Sequence, residues 1–461
     1  MAPRNPGTLP DMQTAGPWER LIVFTKEATP GGVKTRLIPA LGAEGAARLQ
    51  SALTDHTLDT ARRFGSQRGT LVEVHLAGAP RDAAHAWSGA GMLVRPQSAG
   101  DLGERLSHAL RAAFESGAQR VSVIGSDCPD LTPEILDEAY AALDSHDLVL
   151  GPALDGGYYL LGVRQHLPEL FRDMPWGGPE VFERTLAVAR RAGWKVHRLP
   201  SLSDVDEPED LVVCRRLGVF QVEPPRSEHL VSVIIPAMNE ASHIAGLLQQ
   251  LQRIPDIEVI VVDGGSKDDT ADIARAHDAQ VIRTRSGRAR QMNAGAAVAR
   301  GRMLLFLHAD STIEAELFSQ LRSLLRQPNV IAGAFRLRID DPRLVYRLFE
   351  WGVNLRSRLL KLPYGDQGLF LRAETFFQLD GFTNRFMEDV EMCQRLRRRG
   401  RIALAPGAIT TSARRWRRLG VLRTTMANQL CLAGYFAGVP EFALARLYDA
   451  QDGWDSRQKR S

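Results

Sequence analysis

Short apolar strands alternate with helical stretches along the chain, and this alternation starts a second time after about residue 218. In the first half the strand-like runs include RLIVFTK, LVEVHLAG and RVSVIGSD. In the second half they include LVSVIIPAMNE, IEVIVVDGGS and RMLLFLHAD. Strands that alternate with helices are typical of sheets covered by helices on both faces. The sequence therefore predicts an α/β protein with two tandem Rossmann-like domains.

The chain length supports this division, because 461 residues exceed what one hydrophobic core usually organises. The polar, Pro-containing stretch FQVEPPRSEHL suits a linker between the two domains. The predicted organisation is a disordered lead, a first domain, a linker, a second domain and a disordered tail. These parts cover residues 1–18, 19–218, 219–229, 230–449 and 450–461.

Composition excludes several classes of protein. The net charge is only +4, and no long basic tract is interleaved with aromatic residues, so nucleic-acid binding is not expected. The four cysteines form no CxxC pair, which favours a reducing cytoplasm over a disulfide framework. The N-terminal stretch has no apolar segment typical of a signal peptide. The most apolar run, Leu430 to Tyr448, is predicted to form a packed helical hairpin or a helix lying on a membrane surface.

Two of the apolar strands run into a carboxylate, Asp127 in the first half and Asp310 in the second. In open α/β sheets ligands bind beyond the carboxyl ends of the strands, where both side chains are expected to lie. An unpaired buried carboxylate is costly, so each needs a partner. For Asp310 one possibility is a bound metal ion, and the alternative is a helix N-cap together with Ser311 and Thr312.

Four segments of the second half occur in the order found in the family-2 glycosyltransferases of the GT-A fold: PAMNE, VVDGGSKDDT, LHADS and FMEDVEMCQRLRRRG. The chain resembles this family over about residues 230 to 420. The resemblance implies that Pro236, Asn239, Glu240 and Asp263 line a nucleotide site, with Asp263 holding the base. The second acidic residue of the usual DDGS is replaced here, and the usual DxD is HAD, with His308 as a neighbour of the remaining carboxylate.

The same resemblance implies a nucleotide-diphospho-sugar donor, UDP-linked, and a divalent cation, Mg²⁺ or Mn²⁺, bound by Asp310. Such a cation would neutralise charge that builds on the leaving diphosphate. Arg288 and Arg290 precede a helix of small residues, and guanidinium groups suit phosphate oxygens. The alternative for these arginines is a solvated loop.

Acceptor chemistry is assigned to two further segments by the resemblance. Asp389 corresponds to the family's general base, with Glu388 as the nearby alternate, and this implies single displacement with inversion. Acidic residues in a first helical turn are also favoured by the helix dipole, which is the structural alternative. The segment PYGDQGLFLR borders the acceptor site in the family. The predicted acceptor contacts are Gly365, Asp366 and Gln367 of this segment, together with Trp416 of the separate ARRWRR segment. The alternative for Trp416 is packing in the core.

The first half contains a Gly/Pro-rich loop, TPGGVKTRL, in which Lys34 and Arg36 could hold phosphates. With VIGSDCPDLTPE, LVLGPALDGGYYLLG and SDVDEPEDL, it resembles the GT-A-like nucleotidyltransferases that make molybdenum-cofactor dinucleotides or phospholactate guanylyl intermediates. The resemblance covers about residues 20 to 215 and implies that Asp127 and Asp206 hold Mg²⁺ beside a nucleoside triphosphate. The alternative for Asp206 is a cap before PEDL.

The sequence thus predicts a metal-dependent, inverting glycosyltransferase of the arsenosugar-biosynthesis-type branch, fused to a nucleotidyltransferase-like domain. The N-terminal domain is expected to perform nucleotidyl transfer to a sugar phosphate or a second glycosyl transfer. The alternative is a non-catalytic nucleotide-sugar-binding protein, or a protein with one active domain. Peripheral membrane contact with a lipid acceptor is a third possibility.

Overall fold

A computed structural model describes most of the chain, which divides into two compact units, Met1–Asp206 and Glu207–Ser461. The predicted N-terminal lead, apart from residue 18, the predicted tail and Trp416 lie outside the described residues. The described ranges are 18–78, 92–222, 227–363, 365–383, 387–414, 417, 420–440 and 442–446.

The first unit contains a seven-stranded sheet in the order β3-β2-β1-β4-β6-β5-β7. Strands β1 to β4 are parallel, whereas β6 is antiparallel to both of its neighbours. The strands are β1 (Glu19–Lys26), β2 (Leu71–Ala77), β3 (Leu93–Pro96), β4 (Arg120–Gly125), β5 (Leu148–Pro152), β6 (Tyr158–Val163) and β7 (Val196–Arg198). The α-helices are α1 (Ile38–Arg68), α2 (Leu102–Glu115), α3 (Pro133–Ala142) and α4 (Val181–Ala192).

Successive side chains of β1 point to opposite faces of the sheet, and each face is buried in its own hydrophobic core. Leu21 and Val23 belong to one hydrophobic core, with Tyr140 of α3. Ile22 belongs to the other, with Leu110 of α2. Local signals fix the helix starts: Asp101 and Glu104 form a capping box, and Thr132 caps α3 with Pro at its first position.

The second unit contains an eight-stranded sheet in the order β10-β9-β8-β11-β14-β13-β15-β12. The parallel part is β10, β9, β8 and β11, and β14 is antiparallel to both neighbours. The strands are β8 (Val231–Ala237), β9 (Ile257–Asp263), β10 (Gln280–Arg283), β11 (Met303–Phe306), β12 (Ser311–Thr312), β13 (Val330–Ile339), β14 (Phe370–Arg372) and β15 (Arg401–Thr411).

Helices cover this sheet and supply much of its core, in which the helical side chains Leu247 and Phe318 are buried together with Phe335 of β13. The α-helices are α5 (Leu211–Leu217), α6 (Ala241–Leu251), α7 (Thr270–Ala276), α8 (Arg288–Val298), α9 (Ala315–Arg326), α10 (Leu344–Leu360), α11 (Ala373–Gln378), α12 (Glu388–Arg399) and α13 (Val421–Phe436). Four short 3₁₀ turns complete the elements of the described chain: Thr35–Leu37, Pro168–Phe171, Pro208–Asp210 and Gly365–Gln367.

The predicted α/β class with two tandem Rossmann-like domains is confirmed by these two parallel-dominated sheets. The second compact unit begins at Glu207 in the sequence, because α5 packs against α8 and α11 within that unit. The domain limits at residues 218 and 230 stay predictions. No helix within the described ranges is both long enough and apolar enough to cross a membrane.

Candidate functional site

The carboxyl ends of the parallel strands of the second unit lie at one edge of its sheet, as the pairing register requires. Strands β8, β9 and β11 end there at Ala237, Asp263 and Phe306. The loops that leave these strands carry most of the predicted nucleotide-site residues. The observed topology therefore gathers residues that are far apart in sequence, such as Pro236 and Asp310.

Two of these loops are joined by hydrogen bonds. The Asn239 side chain, on a backbone with φ of 57°, accepts a hydrogen bond of 2.8 Å from the Lys267 amide, and the Asn239 amide donates to Ser266 Oγ. Asp263 is fully buried, and its Oδ1 accepts a hydrogen bond of 2.9 Å from the Ser266 amide. Asp263 Oδ2 lies 3.5 Å from Arg283. Asn239 and Asp263 thus shape the loops that would hold a nucleotide.

The neighbouring predicted residues are held by ion pairs. Glu240 lies 3.1 Å from the Arg414 guanidinium, and its amide donates to Thr270 Oγ1. Arg290, in the first turn of α8, lies 3.9 Å from Glu209. Both pairs have exposed cationic partners, so an anionic ligand could compete for Arg290 or Arg414 at small cost.

Asp310 lies four residues beyond the end of β11 and is partly exposed. It does not cap a helix, because Ser311 and Thr312 form strand β12 and the next helix begins at Ala315. Within the described ranges its carboxylate has no hydrogen-bond or ion-pair partner, and no three His, Cys, Asp or Glu side chains are gathered as a metal site. One carboxylate fits a cation that takes its other ligands from phosphate oxygens and water.

Arg288, the first residue of α8, joins two of the loops at this edge. Its Nε lies 3.3 Å from Glu388 Oε1, and its Nη2 contacts His308 Nε2. Burial and the Arg288 charge lower the pKa of His308 well below its ordinary value, so the imidazole is neutral. Burial raises the pKa of Glu388, although Arg288 opposes this. Arg288 therefore provides positive charge between the HAD segment and the acidic start of α12.

Asp389 is the best-positioned carboxylate of the site. Its Oδ2 accepts a hydrogen bond of 2.8 Å from the Gly365 amide, and its Oδ1 one of 2.8 Å from the Val390 amide. A cavity of about 10 Å³, room for a single water, lies against this carboxylate. It is lined by Pro236, Arg288, Met292, Phe306, Leu307, His308, Gly365, Leu369, Phe382 and Asp389. The predicted base, a predicted phosphate ligand and part of the predicted acceptor segment thus meet at one point.

The other two described acceptor residues differ in environment. Gln367 is fully buried. Its side-chain amide donates a hydrogen bond to the Phe335 carbonyl and accepts one from Ser357 Oγ, so it anchors the Gly365–Gln367 turn to the core. Asp366 is partly exposed, but its Oδ1 is enclosed without a hydrogen bond from the described residues. Burial, together with the charge of Asp389, raises the pKa of Asp366 from 3.8 to about 6, although the positive charge of Arg356 lowers it.

This raised pKa predicts that Asp366→Asn stabilises the protein at neutral pH. Between pH 3.8 and about 6 the folded state holds a proton that the unfolded state has released, so the free energy of unfolding falls as pH rises through this range. Removing the charge should raise the unfolding free energy by about 2 kcal/mol near pH 8, and by less near pH 5. Urea unfolding at both pH values measures this. An equal gain in unfolding free energy at both pH values would contradict this prediction. Asp272→Asn, which removes an exposed carboxylate of α7, is the surface control.

In the first unit, Lys34 lies between two carboxylates. Its Nζ is 2.7 Å from Asp127 Oδ1 and 3.2 Å from Asp206 Oδ1, and its side chain is 5% exposed. Burial lowers the pKa of Lys34, but the two carboxylates more than reverse this, so its pKa is raised. Arg36 approaches Asp206 at 3.8 Å. The four residues predicted for this half are therefore in one cluster.

The backbone explains how residues so distant in sequence meet. The Val205 amide donates a hydrogen bond of 3.0 Å to the Asp127 carbonyl, which places SDVDE beside the end of β4. Asp206 does not cap the turn before PEDL, because Glu207 forms the capping box with Asp210. Asp127 and Asp206 are about half exposed on their open sides, so a cation could approach both.

One further acid belongs to this cluster. Burial, together with the charges of Asp155 and Asp206, raises the pKa of Asp204 to about 6. Burial and the nearby carboxylates likewise raise the pKa of the Cys128 thiol well above its ordinary value. Sequence reasoning left Asp204 out, although the DVD spacing in SDVDE was a usable signal. Acids outnumber bases here, which fits a site that takes up a divalent cation.

The two units therefore define a class of protein: tandem α/β domains whose ionic sites lie at the carboxyl edges of parallel strands, where nucleotides and phosphates bind. The comparison with known families makes this specific. Residues 232–387 match the model "Glycosyl transferase family 2", and residues 60–178 match the model "Uncharacterized protein conserved in bacteria (DUF2064)". The chain thus carries a family-2 glycosyltransferase domain behind a DUF2064 domain.

Relatives of both halves are transferases. A PGL/p-HBAD biosynthesis glycosyltransferase of Mycobacterium bovis is 28% identical over 34% of this chain, and the match spans only 64% of that relative's length. A phosphoenolpyruvate guanylyltransferase of Roseiflexus castenholzii is 30% identical over 39% of this chain and 80% of its own length. A candidate nucleotide-diphospho-sugar transferase structure from Desulfovibrio desulfuricans G20 is 33% identical, with a TM-score of 0.41, and the match covers 44% of this chain and 87% of that one. The predicted resemblance to glycosyltransferases and guanylyltransferases is confirmed.

Proposed function

We propose that the C-terminal domain transfers a sugar from a nucleotide-diphospho-sugar to an acceptor hydroxyl, with inversion at the anomeric carbon. The observation that carries this proposal is the position of Asp389. Its carboxylate is oriented by the Gly365 amide at 2.8 Å and faces the same small cavity as Arg288 and His308. A carboxylate fixed beside a cationic group is the arrangement that proton abstraction next to a leaving diphosphate requires.

In the proposed reaction Asp389 takes the acceptor proton while the acceptor oxygen forms its bond to the anomeric carbon. The bond between that carbon and the β-phosphate oxygen breaks, and the nucleoside diphosphate leaves with the electron pair. Arg288 would stabilise the diphosphate, because its guanidinium is held at this edge by Glu388. Arg290 would add a second cation once phosphate displaces Glu209.

We further propose that Asp310 binds Mg²⁺ or Mn²⁺, which would neutralise charge on the diphosphate when the donor is bound. Support comes from its partly exposed carboxylate, which has no partner among the described residues. Asp263 and Asn239 would hold the nucleotide, and Gly365 and Asp366 would border the acceptor. The proposed donor nucleotide is UDP, by resemblance to family 2.

Equilibrium binding of nucleoside diphosphates tests the donor site. Isothermal titration with UDP, GDP, ADP and CDP, each with Mn²⁺, Mg²⁺ or a chelator, should give one nucleotide that binds clearly only with the metal present. Binding of every nucleotide at equal affinity without metal would contradict both the nucleotide site and the role of Asp310.

For the N-terminal domain we propose nucleotidyl transfer to a phosphorylated acceptor such as a sugar phosphate. The acceptor phosphate oxygen would attack the α-phosphorus of a nucleoside triphosphate, and pyrophosphate would leave. Support comes from the cluster of Lys34, Asp127 and Asp206, and from the guanylyltransferase relatives, which make GTP the first triphosphate to test. Asp127 and Asp206 would hold Mg²⁺, and Lys34 with Arg36 would contact phosphates.

Lys34→Met is expected to slow this transfer by about 10- to 100-fold, because one charge-assisted contact to phosphate is lost. Pyrophosphate release from GTP, with sugar phosphates, phosphoenolpyruvate and phospholactate as acceptors, measures the rate. Lys26→Met, an exposed lysine at the end of β1, is the matched control and should keep the wild-type rate. Equal rates of pyrophosphate release in Lys34→Met and Lys26→Met would contradict the role proposed for Lys34.

A non-catalytic nucleotide-sugar-binding protein, or a chain with one active domain, is the competing account. The DGGS and HAD segments favour this competing account, because each lacks one acidic residue of the family pattern. Metal-dependent nucleotide binding without any turnover would support that account.

A further inference from the structure

Helix α10 (Leu344–Leu360) has an inner face packed on the sheet and an outer face that no described element covers. On the inner face Tyr346, Val353 and Ser357 are buried, and the Asn354 side chain accepts a hydrogen bond from the Leu337 amide of β13. These contacts fix the orientation of the helix. The opposite side is therefore presented to solvent as a rigid surface.

This outer face consists of large apolar side chains at helical spacing: Leu344, Leu348, Trp351, Leu355 and Leu359. Leu344 is 84% exposed, Leu348 69%, Trp351 63% and Leu359 67%. Single exposed apolar residues are common, but a continuous stripe with a tryptophan marks a surface that meets another apolar phase.

The exposed charges of the helix and of its C-terminal end are basic. From Leu344 to Lys361, every exposed residue with a described side chain is apolar or basic, and the cations are Arg358 and Lys361. Just before the helix, Arg343 is paired with Asp341 at 2.9 Å. The one acid of the helix, Glu350, is buried against Arg347. Apolar residues flanked by cations fit a surface of apolar chains under anionic headgroups.

We propose that the outer face of α10 docks the protein on an anionic lipid surface. Arg358 and Lys361 supply the charge complementarity to anionic headgroups. The helix ends only a few residues before Gly365, whose amide binds Asp389. If the proposed sugar transfer holds, docking brings the acceptor side of the site to the membrane surface and makes the acceptor a lipid-linked hydroxyl.

Co-sedimentation with vesicles tests the docking. Wild-type protein should pellet with phosphatidylcholine vesicles that contain phosphatidylglycerol, at least about tenfold more strongly than with phosphatidylcholine alone, and salt should weaken the binding. Leu348→Ser with Trp351→Ser should weaken it by about tenfold or more. Trp18→Ser is the matched control, because Trp18 is 64% exposed in the other unit, and it should bind like wild type.

A second variant, Arg358→Glu with Lys361→Glu, should also bind about tenfold less without removing any apolar contact. The proposal is overturned if wild type stays in the supernatant with both vesicle types at low salt, or if the Leu348/Trp351 variant binds unchanged. It is also overturned if light scattering shows a wild-type dimer that this variant dissociates and no vesicle binding. Pelleting needs no turnover, so its failure leaves the proposed sugar transfer standing, and the reverse also holds.

Discussion

Asp389→Asn is expected to reduce sugar transfer by about 1,000-fold, within the range that a positioned general base contributes. The amide oxygen of asparagine can still accept the hydrogen bond from the Gly365 amide, which is 2.8 Å from Asp389 Oδ2. The site should therefore keep its contact between α12 and the Gly365 turn, while it loses the proton acceptor and the hydrogen bond of 2.8 Å from the Val390 amide to Oδ1. Nucleotide affinity should change little, because Asp389 makes no proposed contact with the donor.

The rate is measured as release of nucleoside diphosphate from the donor that binds most tightly, with and without acceptor. Asp272→Asn is the control, since Asp272 lies in the first turn of α7 with an exposed side chain that pairs with Arg275 on the surface. A variant Asp389→Asn with more than about a tenth of the wild-type rate would place the base elsewhere, with Glu388 the next carboxylate to replace.

Asp310→Ala is expected to reduce turnover by a similar factor of about 1,000, because several kcal/mol of charge stabilisation on the leaving diphosphate would be lost with the metal. Unlike Asp389→Asn, it should also weaken nucleotide binding in the presence of Mn²⁺. Folding should be unaffected, since within the described ranges the Asp310 carboxylate has no partner to lose.

Two readouts separate this effect from a general loss of structure. The metal dependence of nucleotide binding should disappear in Asp310→Ala, whereas binding without metal should equal that of wild type. Asp272→Ala should keep both the rate and the metal dependence. Retention of metal-dependent binding in Asp310→Ala would show that other groups hold the cation.

Several local features could be predicted from the sequence because they depend on neighbouring residues. The apolar run before His308 forms β11, although the strand ends at Phe306 and the HAD segment lies in the following turn. The acidic pair Glu388 and Asp389 begins α12, as the helical spacing of Val390 and Leu396 indicated. Parallel pairing then explains why β11 ends at the same edge of the sheet as β8 and β9. Antiparallel β14 begins at this edge, and the Gly365 turn before it binds Asp389.

The contacts between distant segments could not be predicted in this way. Lys34 and Asp206 are 172 positions apart, and their ion pair depends on the backbone hydrogen bond between Val205 and Asp127. The sequence suggested His308 as a neighbour of Asp310, and the contact of Arg288 with the His308 ring had no signal in the sequence. The enclosure of Asp366 depends likewise on side chains from other elements, which no local pattern encodes.

Release of nucleoside diphosphate from a panel of sugar nucleotides, with Mn²⁺ or Mg²⁺, tests the proposed sugar transfer most directly. We expect slow hydrolysis of one donor by the wild-type protein, dependent on the metal and lost in both Asp310→Ala and Asp389→Asn. Metal-dependent nucleotide binding with no release from any donor would contradict the account and leave the C-terminal domain as a binding module.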